Sequence, residues 1–202
     1  MAKPDYKKPD YYARRAKEEG YGARSVFKLM EIADQEKLFR KGQRVLDLGA
    51  SPGSWMKYAS ERLGPEGEVV GVDLNPLGRN LRGNERFIEA DASELSPEAI
   101  KGEGKNFDLV LSDMMPLTSG AKDTDHYRSL ALAKRALALA LILLKPGGNF
   151  LVKVFQGPDF EAYRAGLREH FKTVKVKKPK SSRQSSREVY LLGLEKIKKG
   201  GE

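Results

Sequence analysis

Short runs rich in β-branched and apolar residues alternate along this chain with stretches whose apolar positions recur at helical spacing. The runs at 44–48, 69–73, 86–89, 107–112 and 149–155 predict strands, and the stretches between them at 52–63, 97–100 and 127–144 predict helices. An earlier helix is expected over 25–38, where Val26, Phe27, Leu29, Met30, Ile32, Ala33 and Leu38 share one broad face and Ser25 stands as its cap. Ser51-Pro52 and Ser96-Pro97 each place a capping hydroxyl before a proline at the first helical position. The Lys-Pro-Gly-Gly stretch at 145–148 stops the long helix and turns into the next strand.

This alternation implies an α/β fold, a mostly parallel sheet with helices on both faces. The end of the chain departs from it. After a helix expected at 159–171, runs at 173–176 and 188–194 are joined by a Ser/Arg/Lys-rich stretch with no helix, the signature of an antiparallel pair. The expected sheet is therefore seven-stranded with an antiparallel last strand.

The 202 residues, 40% of them hydrophobic, suit one domain with a real core. Three segments are expected: a basic arm over 1–24, a single domain over 25–195 and a flexible tail over 196–202. In the arm, Lys3, Lys7, Lys8, Arg14, Arg15, Lys17 and Arg24 are interleaved with Tyr6, Tyr11, Tyr12 and Tyr21. Lys and Arg number 37 against 28 Asp and Glu, a net charge of +9 that favours a polyanionic partner. The absence of cysteine excludes disulfides, thiolate metal sites and thiol nucleophiles. The opening MAKPDYKKPD lacks the apolar core of a signal peptide and 136–144 is too short to span a bilayer, so a soluble, cytoplasmic protein is expected.

Candidate chemistry begins at 45–55, a buried strand running through a glycine-containing turn into a helix start. Such a turn admits a ligand close to the backbone and offers free N–H groups to a carboxylate or phosphate. The spacing Gly49-x-x-x-Gly53, with no following G-K-[ST], argues against dinucleotide and P-loop sites, and so against a nicotinamide dehydrogenase. Asp73 closes the next strand, where α/β sheets place an acid that binds ribose hydroxyls, and Asp91 follows the third, where a carboxylate can accept from an adenine amine. Each acid alone also fits a solvated turn. Together with Gly53, and with Trp55 able to pack on the ligand, the set favours an S-adenosylmethionine site.

A second group surrounds a lysine in an apolar strand. Lys153 lies within Phe150-Leu-Val-Lys-Val-Phe155, and an unpaired buried ammonium is costly, so it asks for a partner. Asp113 follows the fourth strand, Glu188 opens the last one, and Lys28 sits on the first helix between Phe27 and Leu29. Two structural ion pairs, or a lysine snorkelling from an edge strand, fit these residues as well as a reactive centre does. His126 and His170 stand isolated and read as structural or solvent-facing. No metal is called for.

The runs Ser25-Val-Phe-Lys28-Leu, Asp47-Leu-Gly-Ala-Ser-Pro-Gly-Ser-Trp55, Ser112-Asp113-Met-Met-Pro116, Lys153-Val-Phe-Gln-Gly157 and Ser185-Ser-Arg-Glu188-Val-Tyr190 closely resemble the FtsJ (RrmJ) family of ribosomal RNA ribose 2′-O-methyltransferases. The resemblance extends from about Tyr12 to Leu194 and implies a class I, Rossmann-like methyltransferase fold. It implies a catalytic tetrad of Lys28, Asp113, Lys153 and Glu188, and cofactor contacts at Gly53, Trp55, Asp73, Asp91 and Asp113. Three departures stand out: Ser51, Ser54 and Met115 occupy positions where the family usually has alanine, glycine and alanine.

The implied reaction moves a methyl group from S-adenosylmethionine to a ribose 2′-hydroxyl, leaving S-adenosylhomocysteine. The residues suit it, because the protein must align an in-line attack and manage one proton, with Lys153 as proton acceptor. A nearby Lys28 ammonium and desolvation favour the neutral amine; Asp113 and Glu188 oppose it and orient it. Lys172, Lys175, Lys177, Lys178, Lys180, Arg183 and Arg187 lead up to Glu188 with no acid among them, and with the arm they form a candidate phosphate-gripping surface. The resemblance implies a uridine of large-subunit ribosomal RNA, presented on a preribosomal or assembled subunit to a monomeric enzyme. A transfer RNA 2′-O-methyltransferase, or a noncatalytic RNA-binding or ribosome-assembly protein of the same fold, are the alternatives.

Overall fold

All seven apolar runs form strands in a computed structural model that describes residues 11–183 and 186–198: β1 (Arg44–Leu48), β2 (Glu68–Asp73), β3 (Glu85–Glu89), β4 (Phe107–Ser112), β5 (Leu144–Phe155), β6 (Phe171–Lys177) and β7 (Glu188–Lys196). The helices are α1 (Tyr11–Glu18), α2 (Val26–Glu36), α3 (Ser54–Leu63), α4 (Pro97–Lys101), α5 (Lys122–Leu143) and α6 (Phe160–Arg168). The strands hydrogen-bond in the order β3-β2-β1-β4-β5-β7-β6. The first five are mutually parallel, and β7 lies antiparallel between β5 and β6. The chain steps outward from β1 to β3 and returns to β4 on the other side of β1. That reversal opens a crevice at the carboxyl ends of β1 and β4.

The central strands are apolar because both their faces are covered. Leu46, Leu48, Val110, Phe150, Val152 and Leu191 pack with α4, α5 and α6 on one face, whereas Val45, Leu109, Leu111, Leu151 and Tyr190 pack with α1, α2 and α3 on the other. At one sheet edge, β6 carries exposed lysines, which discourage pairing with another chain.

Four local expectations change. Part of the presumed arm is helix α1, which buries Ala16 and sets Tyr12 against the Phe27 ring of α2. Ser25 does not cap α2 with its side chain; its carbonyl instead accepts from Trp55 Nε1 at 3.0 Å. Ser51 does not cap α3 either. That helix starts at Ser54 behind Gly53, whose φ of 98° suits glycine, and Ser51 is drawn away to donate its N–H to Asp73 and its hydroxyl to the Pro76 carbonyl. The long helix begins at Lys122 rather than 127, because its first turn is polar and carries no apolar period; Asp123 and Asp125 there suit the helix dipole.

The cap at Ser96 does form, its hydroxyl accepting from Ala99 N–H. Residues 145–148 make an irregularity inside β5, with the β4 pairing jumping from Phe107↔Leu144 to Leu109↔Asn149. Strand β7 continues through Lys196, whose ammonium donates to the Leu141 and Leu144 carbonyls. Lys3, Lys7, Lys8 and Tyr6 of the expected arm, and 199–202 of the expected tail, lie outside the described residues. Among the described residues, no helix is long and apolar enough to cross a membrane.

Candidate active site

Strand alternation decides which side chains meet. Val45, Leu109, Leu111 and Leu151 face the α2/α3 layer, so Asp47 of β1, Asp113 just past β4 and Lys153 of β5 follow them onto that face. The antiparallel register pairs Lys153 with Tyr190 and Phe155 with Glu188, which brings Glu188 and Tyr190 of β7 to the same side.

Two ion pairs result. Lys153, only 4% exposed, donates from Nζ to the Asp113 carbonyl at 2.5 Å and lies 3.1 Å from Asp113 Oδ1. Lys28 Nζ donates to Glu188 Oε1 at 2.5 Å, and Ser182 Oγ donates to the same oxygen at 3.3 Å. Tyr190 joins the first pair: its buried hydroxyl donates to Asp113 Oδ1 at 2.8 Å while its ring lies 5.9 Å from that of Trp55. Burial, reinforced by Asp113 and Glu188, pushes the Tyr190 phenol well above its ordinary range, so it remains a donor. An ammonium has three donors. One of those on Lys153 goes to the Asp113 carbonyl, with the Asp113 carboxylate beside it, so the amine keeps donor capacity for a group entering the crevice.

Acids line the β1 side of the crevice. Asp73 accepts from Ser51 N–H at 3.0 Å and Asn75 N–H at 2.8 Å, which fixes its carboxylate beside the β1–α3 turn. A side chain at Gly53 would meet Arg79 Nε at 2.9 Å, and one at Gly49 would meet the Met114 backbone at 2.8 Å, so both turns admit only glycine. Asp91 accepts from Ser93 N–H at 2.7 Å, and that bond holds its carboxyl below the ordinary range. Trp55 is 3% exposed and packed in the core.

Asp47 was not singled out by sequence. It is fully buried, and neither of its oxygens accepts a hydrogen bond of ordinary geometry. Burial, with repulsion from Asp113 and Asp73, pushes its carboxyl well above the ordinary range against the opposing pull of Arg79. A buried acid beneath a glycine turn asks for a cation, and the ammonium of an amino-acid-bearing nucleoside would answer it. These residues fit S-adenosylmethionine. The same reasoning that flagged Lys153, a charge inside an apolar strand, would have found Asp47. A separate groove of about 570 Å³ between α5 and α6, lined by Leu130, Leu137, Leu141, Tyr163 and His170, contains none of these groups.

A family model for FtsJ-like methyltransferases matches residues 21–196. The chain belongs to this family. It is 47% identical over 192 residues to ribosomal RNA large subunit methyltransferase E of Desulfatibacillum aliphaticivorans, covering 95% of this chain and 92% of that protein. It is 46% identical over 194 residues to the protein of the same name from Bdellovibrio bacteriovorus, covering 95% and 98%. Among solved structures, one described as a ribosomal RNA methyltransferase from Plasmodium falciparum superposes with a TM-score of 0.77 at 25% identity, over 89% of this chain and all of that one. Human methyltransferase-like protein 13 in complex with SAH shares the fold, with a TM-score of 0.63 at 16% identity over 83% of this chain and 81% of that one.

Against the FtsJ-like pattern, the departure at Ser54 has a structural use: its hydroxyl accepts from Ala23 N–H at 2.7 Å and ties the segment before α2 to the start of α3. Met115 is 58% exposed on the loop after Asp113. His126 is structural, with Nδ1 at 2.9 Å from the Phe155 carbonyl and Nε2 accepting from Asp159 N–H at 3.3 Å.

The basic run divides. Lys172 pairs with Glu195, and Lys175 and Lys177 share Glu36. Burial would raise the Glu36 carboxyl, but hydrogen bonds from Lys175 and Lys177 outweigh it and hold it below its ordinary range. Lys178 donates to the Ser186 and Glu188 carbonyls, beside the catalytic candidates. Lys180 and Arg183 are exposed, and Arg187 donates to the Lys122 carbonyl at 2.9 Å.

Proposed function

We propose that this protein methylates a ribose 2′-hydroxyl of large-subunit ribosomal RNA, with a uridine as the target nucleoside, acting as a cytoplasmic monomer. The observation that carries the reading is Lys153, an almost fully buried ammonium held by the carbonyl and carboxylate of Asp113 at the crevice, in a chain whose relatives bear the name ribosomal RNA large subunit methyltransferase E.

Each residue has a task in this reading. S-adenosylmethionine, when bound, supplies a methyl on a sulfonium; its S–C bond breaks as the new O–C bond forms, leaving S-adenosylhomocysteine. Gly53 and the first N–H groups of α3 receive the cofactor carboxylate, Asp47 its ammonium, Asp73 the ribose hydroxyls and Asp91 the adenine amine. Lys153, in its neutral form, accepts the 2′-hydroxyl proton at Nζ. Asp113 aims that amine, and Tyr190 fixes the Asp113 oxygen that does so. Lys28, neutralised by Glu188, sits where it can steady the target ribose without drawing the proton from Lys153. Lys180, Arg183 and Arg187 meet backbone phosphates, and Lys172, Lys175, Lys177 and Lys178 hold β6 and the following loop in shape while adding to the positive field. A 2′-hydroxyl as nucleophile restricts the substrate to RNA.

The test is to incubate the protein with methyl-labelled S-adenosylmethionine and, separately, ribosomal RNA, isolated large subunits and transfer RNA. Label in large-subunit RNA, at a position that resists alkaline cleavage because its 2′-oxygen is blocked, is the expected result. Label confined to transfer RNA, or absent from every pool, overturns it.

A further inference from the structure

The loop joining β4 to α5 presents an apolar tip. Leu117 is 92% exposed, the most exposed large hydrophobic among the described residues, and Met115 two positions before it is 58% exposed. Isolated surface leucines are commonplace. This one differs because the segment that carries it is pinned on both sides.

At its start, Asp113 N–H donates to the Leu48 carbonyl, and the Asp113 carbonyl accepts from Lys153. At its end, the buried Asp125 carboxylate accepts from Ser119 N–H at 2.7 Å, Ser119 Oγ at 3.0 Å and Gly120 N–H at 3.1 Å. Arg128 donates to the Leu117 carbonyl itself at 3.3 Å. A leucine held out to solvent by a fastened loop cannot collapse onto the protein to hide its surface.

Position and charge say what it meets. Leu117 stands four positions after Asp113, so the tip lies at most about 14 Å from the residue that aims Lys153. Two guanidinium groups brace the same segment, Arg128 at Leu117 and Arg187 at Lys122, and Arg187 adjoins Glu188. An apolar surface flanked by arginines, beside a centre that handles a ribose hydroxyl, matches single-stranded RNA, whose bases offer apolar faces and whose backbone offers phosphates.

We propose that Leu117, assisted by Met115, seats against the face of a nucleobase next to the methylated nucleotide, with Arg128 and Arg187 taking the flanking phosphates. The contact reads no base identity, since every base has such a face; it holds the strand so that the neighbouring ribose stays at Lys153. The inference rests on the RNA methyltransferase reading above and adds a subsite to it.

The experiment compares the parent with Leu117→Ser, Leu117→Met and Arg187→Gln in methyl transfer to naked large-subunit RNA and to isolated large subunits. Titration with S-adenosylhomocysteine and melting temperature serve as checks on the fold. Leu117→Ser is expected to raise KM for naked RNA about fivefold, the worth of covering roughly half a leucine side chain. Its salt dependence should stay parental, because no phosphate contact is lost, and Leu117→Met should restore KM. Arg187→Gln should instead reduce the log–log salt slope by about 0.7. An unchanged KM for Leu117→Ser, with an active parent, overturns the subsite and leaves the methyltransferase reading standing. A defect seen on assembled subunits and not on naked RNA also overturns it, assigning the tip to a ribosomal protein. A parent unable to methylate any RNA removes both.

Discussion

Replacing Tyr190 by phenylalanine removes a single oxygen atom and tests what its hydroxyl contributes to the Asp113–Lys153 pair. In the parent, that hydroxyl donates at 2.8 Å to Asp113 Oδ1, the same oxygen that faces Lys153 Nζ at 3.1 Å. A hydrogen bond to a charged acceptor contributes about 2 kcal/mol, so Tm should fall by roughly 4–8 °C for a chain of this length. The chemical consequence is separable from the thermal one. Asp113 loses the donor that fixes the oxygen facing Lys153, while Lys28, Glu188, Asp47 and Asp73 around the crevice stay as they were. If about 1.4 kcal/mol of the lost bond bears on the alignment of the amine, single-turnover transfer should be about tenfold slower with cofactor affinity unchanged. An unchanged single-turnover rate would refute the coupling and leave Tyr190 a packing residue; an unaltered Tm would remove the hydrogen bond from the argument altogether.

Lys153→Ala should keep cofactor affinity and slow transfer by roughly 10²- to 10⁴-fold, and Lys153→Arg should not rescue it because arginine keeps its proton; near-parental transfer by the arginine variant in a single-turnover assay would make Lys153 a positioning cation. Asp47 carries a raised carboxyl, so the cofactor-free protein gains a contribution to stability at low pH and loses it as pH rises through that value. Binding a cation there then releases a proton, expected as a buffer-dependent heat in calorimetry that Asp47→Asn abolishes, along with the pH-dependent fall in the Tm of the free protein; a heat identical in all buffers counts against the assignment. Neutralising Lys180 and Arg183 together should flatten the salt dependence of RNA binding by about 0.7 per lost contact, while Lys175→Gln should leave the slope alone, since that lysine is already paired with Glu36.

The strands and their parallel order were legible because a strand covered on both faces must be apolar throughout, and the late antiparallel pair because no helix separates its members. Lys153 was legible for a related reason, since a lysine between Val152 and Val154 asks for a partner, and the family resemblance grouped it with Lys28, Asp113 and Glu188. Their pairing was not, because it depends on register. Only when β7 pairs Tyr190 with Lys153 does Glu188 fall to Lys28, and Asp113 to Lys153. Helix α1 escaped notice because its alternating charges and tyrosines read as a solvated arm until Ala16 and Tyr12 find α2. The lysines of β6 show the opposite failure, a run of one sign in sequence that folding neutralises with Glu36 and Glu195, residues distant or unremarkable along the chain.

The place of β7 has a consequence for how the protein is made. Synthesis runs from the amino end, and the strand that supplies Glu188 and Tyr190 is made after β6, its own outer neighbour in the sheet. Until it arrives, β5 is an unpaired edge, Asp113 lacks the Tyr190 hydroxyl, and β6 has nothing to lean on. A nascent or prematurely terminated chain can therefore assemble the glycine turn and the acids of β1 to β3 while lacking half of the group proposed to handle the proton. Such a fragment would be a cofactor binder without chemistry, with a bare edge that invites aggregation. The candidate site is thus completed late, when one strand threads between two others and closes the sheet.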